Sequence, residues 1–327
     1  MNRKIFCGPL VAILLATSFP AEAQKPKKVP RIGFLSAGSP SSMSARVEAF
    51  RRGLRGHSYV EQQNIAVEYR YAEGNVEWLK KFASELVSLK VDVIVTGGPI
   101  ATHPAKQATN TIPIVMAYEA DPVGTGLIAS LARPGGNITG LTSLGHELSG
   151  KRLELLKDAI PKLSHVAVFW DPTNPASSAS LNELGTAAQS LGLKIQPMEI
   201  RNVNDLEGAF QDATNRRVGA VMMLSSPVIF THRRRVVNLA AKRRLPTIHS
   251  QIEFADTGGV MVYGPSDADM YRRAATYVDK ILKGAKPSEL PVEQPVKFDF
   301  IINLKTAKQI GLTIPPNVLT RADRVIR

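Results

Sequence analysis

Apolar positions along this chain switch repeatedly between short β-branched runs and a three-to-four-residue spacing. Residues 31–36 are a short apolar run, a turn follows at 37–40, and residues 41–56 carry Met43, Val47, Phe50 and Leu54 on one face. That pattern predicts a strand and then a helix with one buried stripe. Residues 65–71 alternate Ile65, Val67, Tyr69 and Tyr71 as a second strand, and residues 76–89 place Leu79, Phe82, Leu86 and Leu89 inward on a helix. The stretch from Val91 to Thr142 organises the rest. Two β-branched runs, 91–96 and 112–117, are bounded by Gly or Pro and separated by a helix-length spacer, the signature of a βαβ unit with parallel strands. A short helix over 124–132, stopped by Arg133-Pro134-Gly135-Gly136, and a strand over 137–142 complete five βα repeats of one doubly wound lobe.

The pattern then restarts. A helix over 147–160 leads out, followed by strands over 165–170, 194–200, 219–224, 246–249 and 260–263. Helices over 176–191, 204–214 (with Asn204 as N-cap) and 230–244 lie between them. A helix over 267–283, a Pro-rich link over 287–295, a strand over 297–302 and a helix over 305–310 are left after two complete lobes. The chain is therefore expected to cross back between lobes, with 31–142 plus 266–290 as the first and 143–265 plus 291–327 as the second. Several crossovers of this kind make a hinge. In parallel sheets ligands sit at the carboxyl ends of the strands, which puts Thr96-Gly97-Gly98 and the residues from Tyr118 to Asp121 on one rim.

Composition narrows the compartment. Asn2-Arg3-Lys4 is a basic start, residues 5–17 are apolar, and Ala21-Glu22-Ala23 is a small-x-small cleavage site, so residues 1–23 read as an export signal and 24–30 as a disordered leader. The apolar run falls short of the about 20 residues needed to span a bilayer. Cys7 is the one cysteine and lies inside that run, so cleavage leaves no disulfide, thiolate metal site or cysteine nucleophile. The 41 Lys and Arg exceed the 28 Asp and Glu, a formal charge of +13. No helix-turn-helix, zinc-finger or RNA-binding motif accompanies it, and Arg233-Arg234-Arg235 with Lys242-Arg243-Arg244 read as a solvated helix face or as a surface steering anions.

The chain resembles the substrate-binding proteins of ABC importers, in the bacterial family that includes tryptophan- and other aromatic-amino-acid-type binding proteins, from Pro30 to Ile326. The segments that carry this are residues 31–36, 92–98, 111–115, 121–123, 130–140, 151–156 and 303–308, the run from Leu131 to Gly140 being the most specific. The resemblance implies a type I periplasmic-binding fold, α/β, with two doubly wound parallel-sheet lobes. It implies a periplasmic receptor that closes on a small molecule, an amino acid or related small carboxylate, and presents it to a permease with its ATPase. Neither cofactor, metal nor nucleic acid is expected, and the receptor is expected to be a monomer. A sensor subunit feeding a kinase or chemoreceptor is the competing role. One departure stands out: after the sixth strand the family tends to have Asn-Pro-x-Asn, and here Asp171 replaces the first Asn.

A receptor of this kind draws its binding groups from strand-end loops of both lobes. From the first lobe the candidates are Ser36, Ser39, Thr96, Gly97, Gly98, Glu119 and Asp121; from the second, Asp171, Asn174, Ser225, Ser226 and Tyr263. Each has a second reading. Ser36 and Ser39 offer hydroxyls to a carboxylate or serve as turn and N-cap. Gly97-Gly98 permits close approach of a ligand or makes a tight turn, Asp121 meets an amine or caps the segment at Gly124, and Asn174 meets a zwitterion or caps the next helix. Tyr118 and Trp170 are flat enough to stack on a ligand, with Trp170 favoured as core. His103, His146, His165 and His249 lack metal spacing, and neither a nucleophile elbow nor a phosphate-binding loop is present, so no enzyme is expected.

Overall fold

The computed structural model describes residues 29–144, 147–296 and 298–327. The expected export signal, Cys7, His146 and most of the expected leader lie outside the described residues.

In the first half, β1 (Arg31–Ser36), α1 (Pro40–Gly56), β2 (Ala66–Tyr71), α2 (Val76–Ser88), β3 (Val93–Thr96), α3 (Pro99–Ala108), β4 (Ile114–Glu119) and β5 (Ile138–Thr142) follow one another. They form a five-stranded sheet in the order β2-β1-β3-β4-β5, parallel throughout. Because side chains alternate across a strand, Ile32, Phe34, Val93, Val95, Val115 and Ala117 point to one face. Leu35, Ile94, Ile114 and Met116 point to the other, where Leu79, Leu86 and Ala101 of α2 and α3 cover them.

The second half runs α4 (Glu147–Ala159), β6 (His165–Trp170), α5 (Pro175–Ser190), β7 (Lys194–Glu199), α6 (Asp205–Asn215), β8 (Ala220–Met223), α7 (Pro227–Thr231), α8 (Arg233–Lys242), β9 (Thr247–His249), α9 (Glu253–Thr257) and β10 (Met261–Pro265). Then come α10 (Asp267–Leu282), a 3₁₀ turn at Pro287–Glu289, β11 (Phe298–Asn303), α11 (Leu304–Gln309), α12 (Pro316–Leu319) and β12 (Arg324–Ile326). The second sheet has seven strands in the order β12-β11-β10-β9-β8-β6-β7, with β10 and β11 antiparallel and the other pairs parallel. The architecture is α/β with two parallel-dominated sheets, as expected.

Helix α10 leaves the second sheet and packs on α1, β3, β4 and β5 of the first. Residues 292 and 293 stay on that side: the Val292 N–H donates to Leu131 O, and Glu293 exchanges backbone hydrogen bonds with Gly140 and Thr142 at the free edge of β5. Among the described residues no helix is long and apolar enough to cross a membrane.

Three expectations about elements need correction. Residues 124–132 form turns, not a helix. The N–H groups of Leu127 and Ile128 both bond to Pro122 O, and Lys106 Nζ takes the Gly126 and Leu127 carbonyls, at 2.7 and 3.2 Å, that a helix would need for itself. The expected 230–244 helix is two. Ser226 caps an earlier start with Pro227 at its first position, and the chain breaks at His232 before α8. Finally, Asn204 makes no side-chain cap; the Asp205 carboxylate instead accepts the N–H groups of Arg201 and Asn202.

Candidate functional site

The carboxyl ends of both sheets face one cleft, with about 460 Å³ of empty space including its mouth. From the first sheet come Ser36 at the end of β1 and Gly38 after it, Gly97 to Ile100 after β3, and Tyr118 near the end of β4; Met43 and Arg46 of α1 close that side. The second sheet contributes Asn174 after β6, Ser225, Ser226 and Pro227 after β8, Phe230 of α7, and Gln251 after β9. Helices α1, α3, α5 and α7 all begin with Pro just after strand ends on this rim. Proline lacks the N–H that a first helical position leaves unpaired anyway, so the remaining N-terminal amides give the rim a positive bias.

Six of the twelve candidates line the cleft: Ser36, Gly97, Gly98, Asn174, Ser225 and Ser226. Gly98 has φ +110°, a conformation a side chain would strain, and it turns the chain from β3 into α3. A Cβ at Gly97 would lie 2.9 Å from the Tyr271 hydroxyl and 3.3 Å from Ser36 Oγ. Asn174 both lines the cleft and caps α5: its Oδ1 accepts the Ala176 N–H at 3.1 Å, and its Nδ2 donates to Ser225 O at 2.8 Å. Ser226 donates to Asp171 Oδ2 at 3.2 Å.

The structure does not bring the other six to the cleft wall. Ser39 caps α1, its Oγ accepting the Ser42 N–H. Thr96 is buried, with Oγ1 2.9 Å from Thr102 Oγ1. Asp121 Oδ1 accepts the Gly124 N–H at 2.8 Å, closing the turn there. Asp171 spends Oδ1 on the N–H and hydroxyl of Thr173 and borders a smaller adjoining pocket. Tyr263 stacks on Phe298, and its carbonyl accepts from Arg152 Nε. Glu119 is fully buried, and burial pushes its carboxyl up to about 8 against the opposing N–H of Ala120 and the hydroxyl of Thr102. Of the two aromatic candidates, Tyr118 lines the cleft and Trp170 packs on the apolar cluster around Val166, Met222 and Ile248 of the second sheet.

Arg46, Phe230 and Gln251 were not among the expected residues. Arg46 Nη2 is bonded to Asp267 Oδ2, its Nε lies 3.1 Å from Glu253 Oε1, and its guanidinium carbon stands 3.9 Å over the Phe230 ring. Burial alone would lower its pKa, but Asp267 and Glu253 carry it above the ordinary value. Burial likewise pushes Asp267 up, and Arg46 limits the rise. A signal for Arg46 exists in the sequence: it sits three residues after Met43 and four before Phe50, on the edge of the apolar stripe, where a charge needs a partner. Phe230 is hidden in the sequence because the apolar spacing makes it the first residue of one long helix. Two polar atoms beside this cluster, Tyr271 Oη and Glu253 Oε2, are buried without a hydrogen-bond partner in the structure.

A tyrosine-binding protein of Clostridioides difficile (strain R20291) is 24% identical over 286 residues, 88% of this chain and 82% of the relative. Two solved structures superpose closely. A conserved domain protein from Vibrio cholerae O1 biovar eltor is 27% identical, with a TM-score of 0.85, over 91% of this chain and 100% of the other. An ABC domain in complex with L-Trp from Streptococcus pneumonia is 25% identical, with a TM-score of 0.84, over 91% of this chain and 99% of the other. The model of one family, described as ABC transporter substrate binding protein, matches residues 32–326, and the chain belongs to that family.

Proposed function

We propose that this chain is the extracytoplasmic receptor of an ABC importer and takes a small aromatic amino acid into the cleft between its lobes. Residues 31–142 with 266–293 form the first lobe and 143–265 with 294–327 the second, so three crossings make the hinge. The observation that carries the reading is the cleft wall: one aromatic ring from each lobe, Tyr118 and Phe230, beside Ser36, Ser225, Ser226 and the residues that open α3. An aromatic side chain gains from both rings. A carboxylate suits hydroxyls and a helix N-terminus. The L-Trp and tyrosine named for the relatives fit the same chemistry.

Calorimetric titration of the purified chain with L-tryptophan, L-tyrosine, L-phenylalanine and L-leucine tests this. The aromatic amino acids should bind and L-leucine should bind more weakly. Phe230→Ala should weaken aromatic binding at least about tenfold, because ring contact and apolar burial are lost together. Equal affinity for L-leucine, or an unchanged Phe230→Ala, would reject an aromatic ligand.

A further inference from the structure

The guanidinium of Arg46 is shared between lobes. It leaves α1 and meets Asp267 at the start of α10, a helix packed on α1. The Tyr271 ring of α10 lies 5.9 Å from it, whereas Glu253 of α9 and the ring of Phe230 in α7 belong to the second lobe. Two carboxylates hold the planar group by its edges and one ring covers its face, which is how arginine, unlike lysine, makes several directed contacts at once. The side chain is 8% exposed, so little solvent screens these contacts.

We propose that Arg46 is a positioning residue that sets lobe closure, acting on the ligand through Phe230, and that it does not receive the ligand's carboxylate. Moving the second lobe away separates Arg46 from Phe230 and Glu253 and leaves the Asp267 pair intact, because α1 and α10 move as one. Asp267 thus keeps the guanidinium aimed in both arrangements. The contacts with Glu253 and Phe230 are made only on closure, and contacts present in one state alone are the ones that shift the balance between states. A ligand carboxylate placed here would add a third negative group beside two that already occupy the fork.

The test pairs small-angle scattering of the ligand-free chain with stopped-flow binding of L-tryptophan and of L-tryptophan amide, which has no carboxylate. Arg46→Met should raise the radius of gyration and speed dissociation of both probes by the same factor, at least about tenfold, with association rates little changed. Arg46→Lys should fall in between. Glu253→Ala leaves the Arg46–Asp267 pair whole and should shift both readouts in the same direction, which covers the case of an Arg46→Met chain that does not fold. Loss of L-tryptophan affinity tenfold beyond that of the amide would make Arg46 the carboxylate receptor and overturn the proposal. So would scattering curves that match wild type in Arg46→Met and Glu253→Ala. The kinetic arm rests on the aromatic-amino-acid reading and the scattering arm does not: if neither probe binds wild type, that reading fails while scattering still decides on the clamp.

Discussion

Glu119 ends β4 with no solvent exposure, and its two oxygens are treated unequally: Oε1 accepts the Ala120 N–H at 3.1 Å, while Oε2 has no hydrogen-bond partner in the structure. Burial raises the carboxyl from 4.5 to about 8, so between those values the folded chain holds a proton that the unfolded chain releases. Its contribution to stability is complete below about pH 4.5 and is lost as pH rises through 8, at no more than about 1.4 kcal/mol per pH unit. Glu119→Gln, permanently neutral, should remove that slope. Urea midpoints at several pH values between 5.5 and 7.5 would check it; wild type and variant losing stability in parallel would refute it. Residues of this kind are hard to place from sequence. Ser36, Ser39, Asp121 and Asp171 are all small polar groups at strand ends, and each finds a backbone or hydroxyl partner within three residues. Whether such a group also faces a ligand depends on the neighbouring strand and on the other lobe.

At the scale of elements, strands are legible to within a residue or two because the central strands of both sheets are buried on both faces, and such strands read as apolar runs closed by Gly or Pro. Strand β12 and helix α9 are not legible, because three and five residues carry no usable period. The α1–α10 pair was likewise out of reach. Gly53 looks like an ordinary interior glycine of α1, yet a Cβ there would lie 2.3 Å from Arg272 O and 2.7 Å from Ala275 Cβ of α10. The two helices touch through backbone, so Gly53→Ala must push them apart although alanine is the better helix former. We expect a loss of about 1–3 kcal/mol, the cost typical of overpacking, read as a lower urea midpoint at unchanged slope. A neutral or stabilising result would show that α10 can slide on α1, and Asp267 would then not hold Arg46 in a fixed aim.

At the scale of the molecule, the two lobes we propose are interleaved rather than strung together. Helix α10 is made after the second sheet has begun and completes the first lobe, and the apolar cluster around Phe34 and Phe50 continues to Phe169, Phe210 and Phe230 of the second. Neither lobe has its whole core without the other, so unfolding should be a single transition. The chain carries its own reporters: Trp78 lies on α2 of the first lobe and Trp170 ends β6 of the second, and the sequence has no other tryptophan. Trp78→Phe and Trp170→Phe each leave one lobe visible by tryptophan fluorescence. Their urea transitions should coincide once each variant's own stability is accounted for. A ligand that spans both walls, L-tyrosine at a hundred times its dissociation constant, should stabilise both reporters equally, by about 2.7 kcal/mol. If the ligand shifts the transition seen by one tryptophan and leaves the other in place, it binds one lobe alone. A receptor filled from one lobe gains nothing by closing, and the importer reading would lose the motion on which it depends.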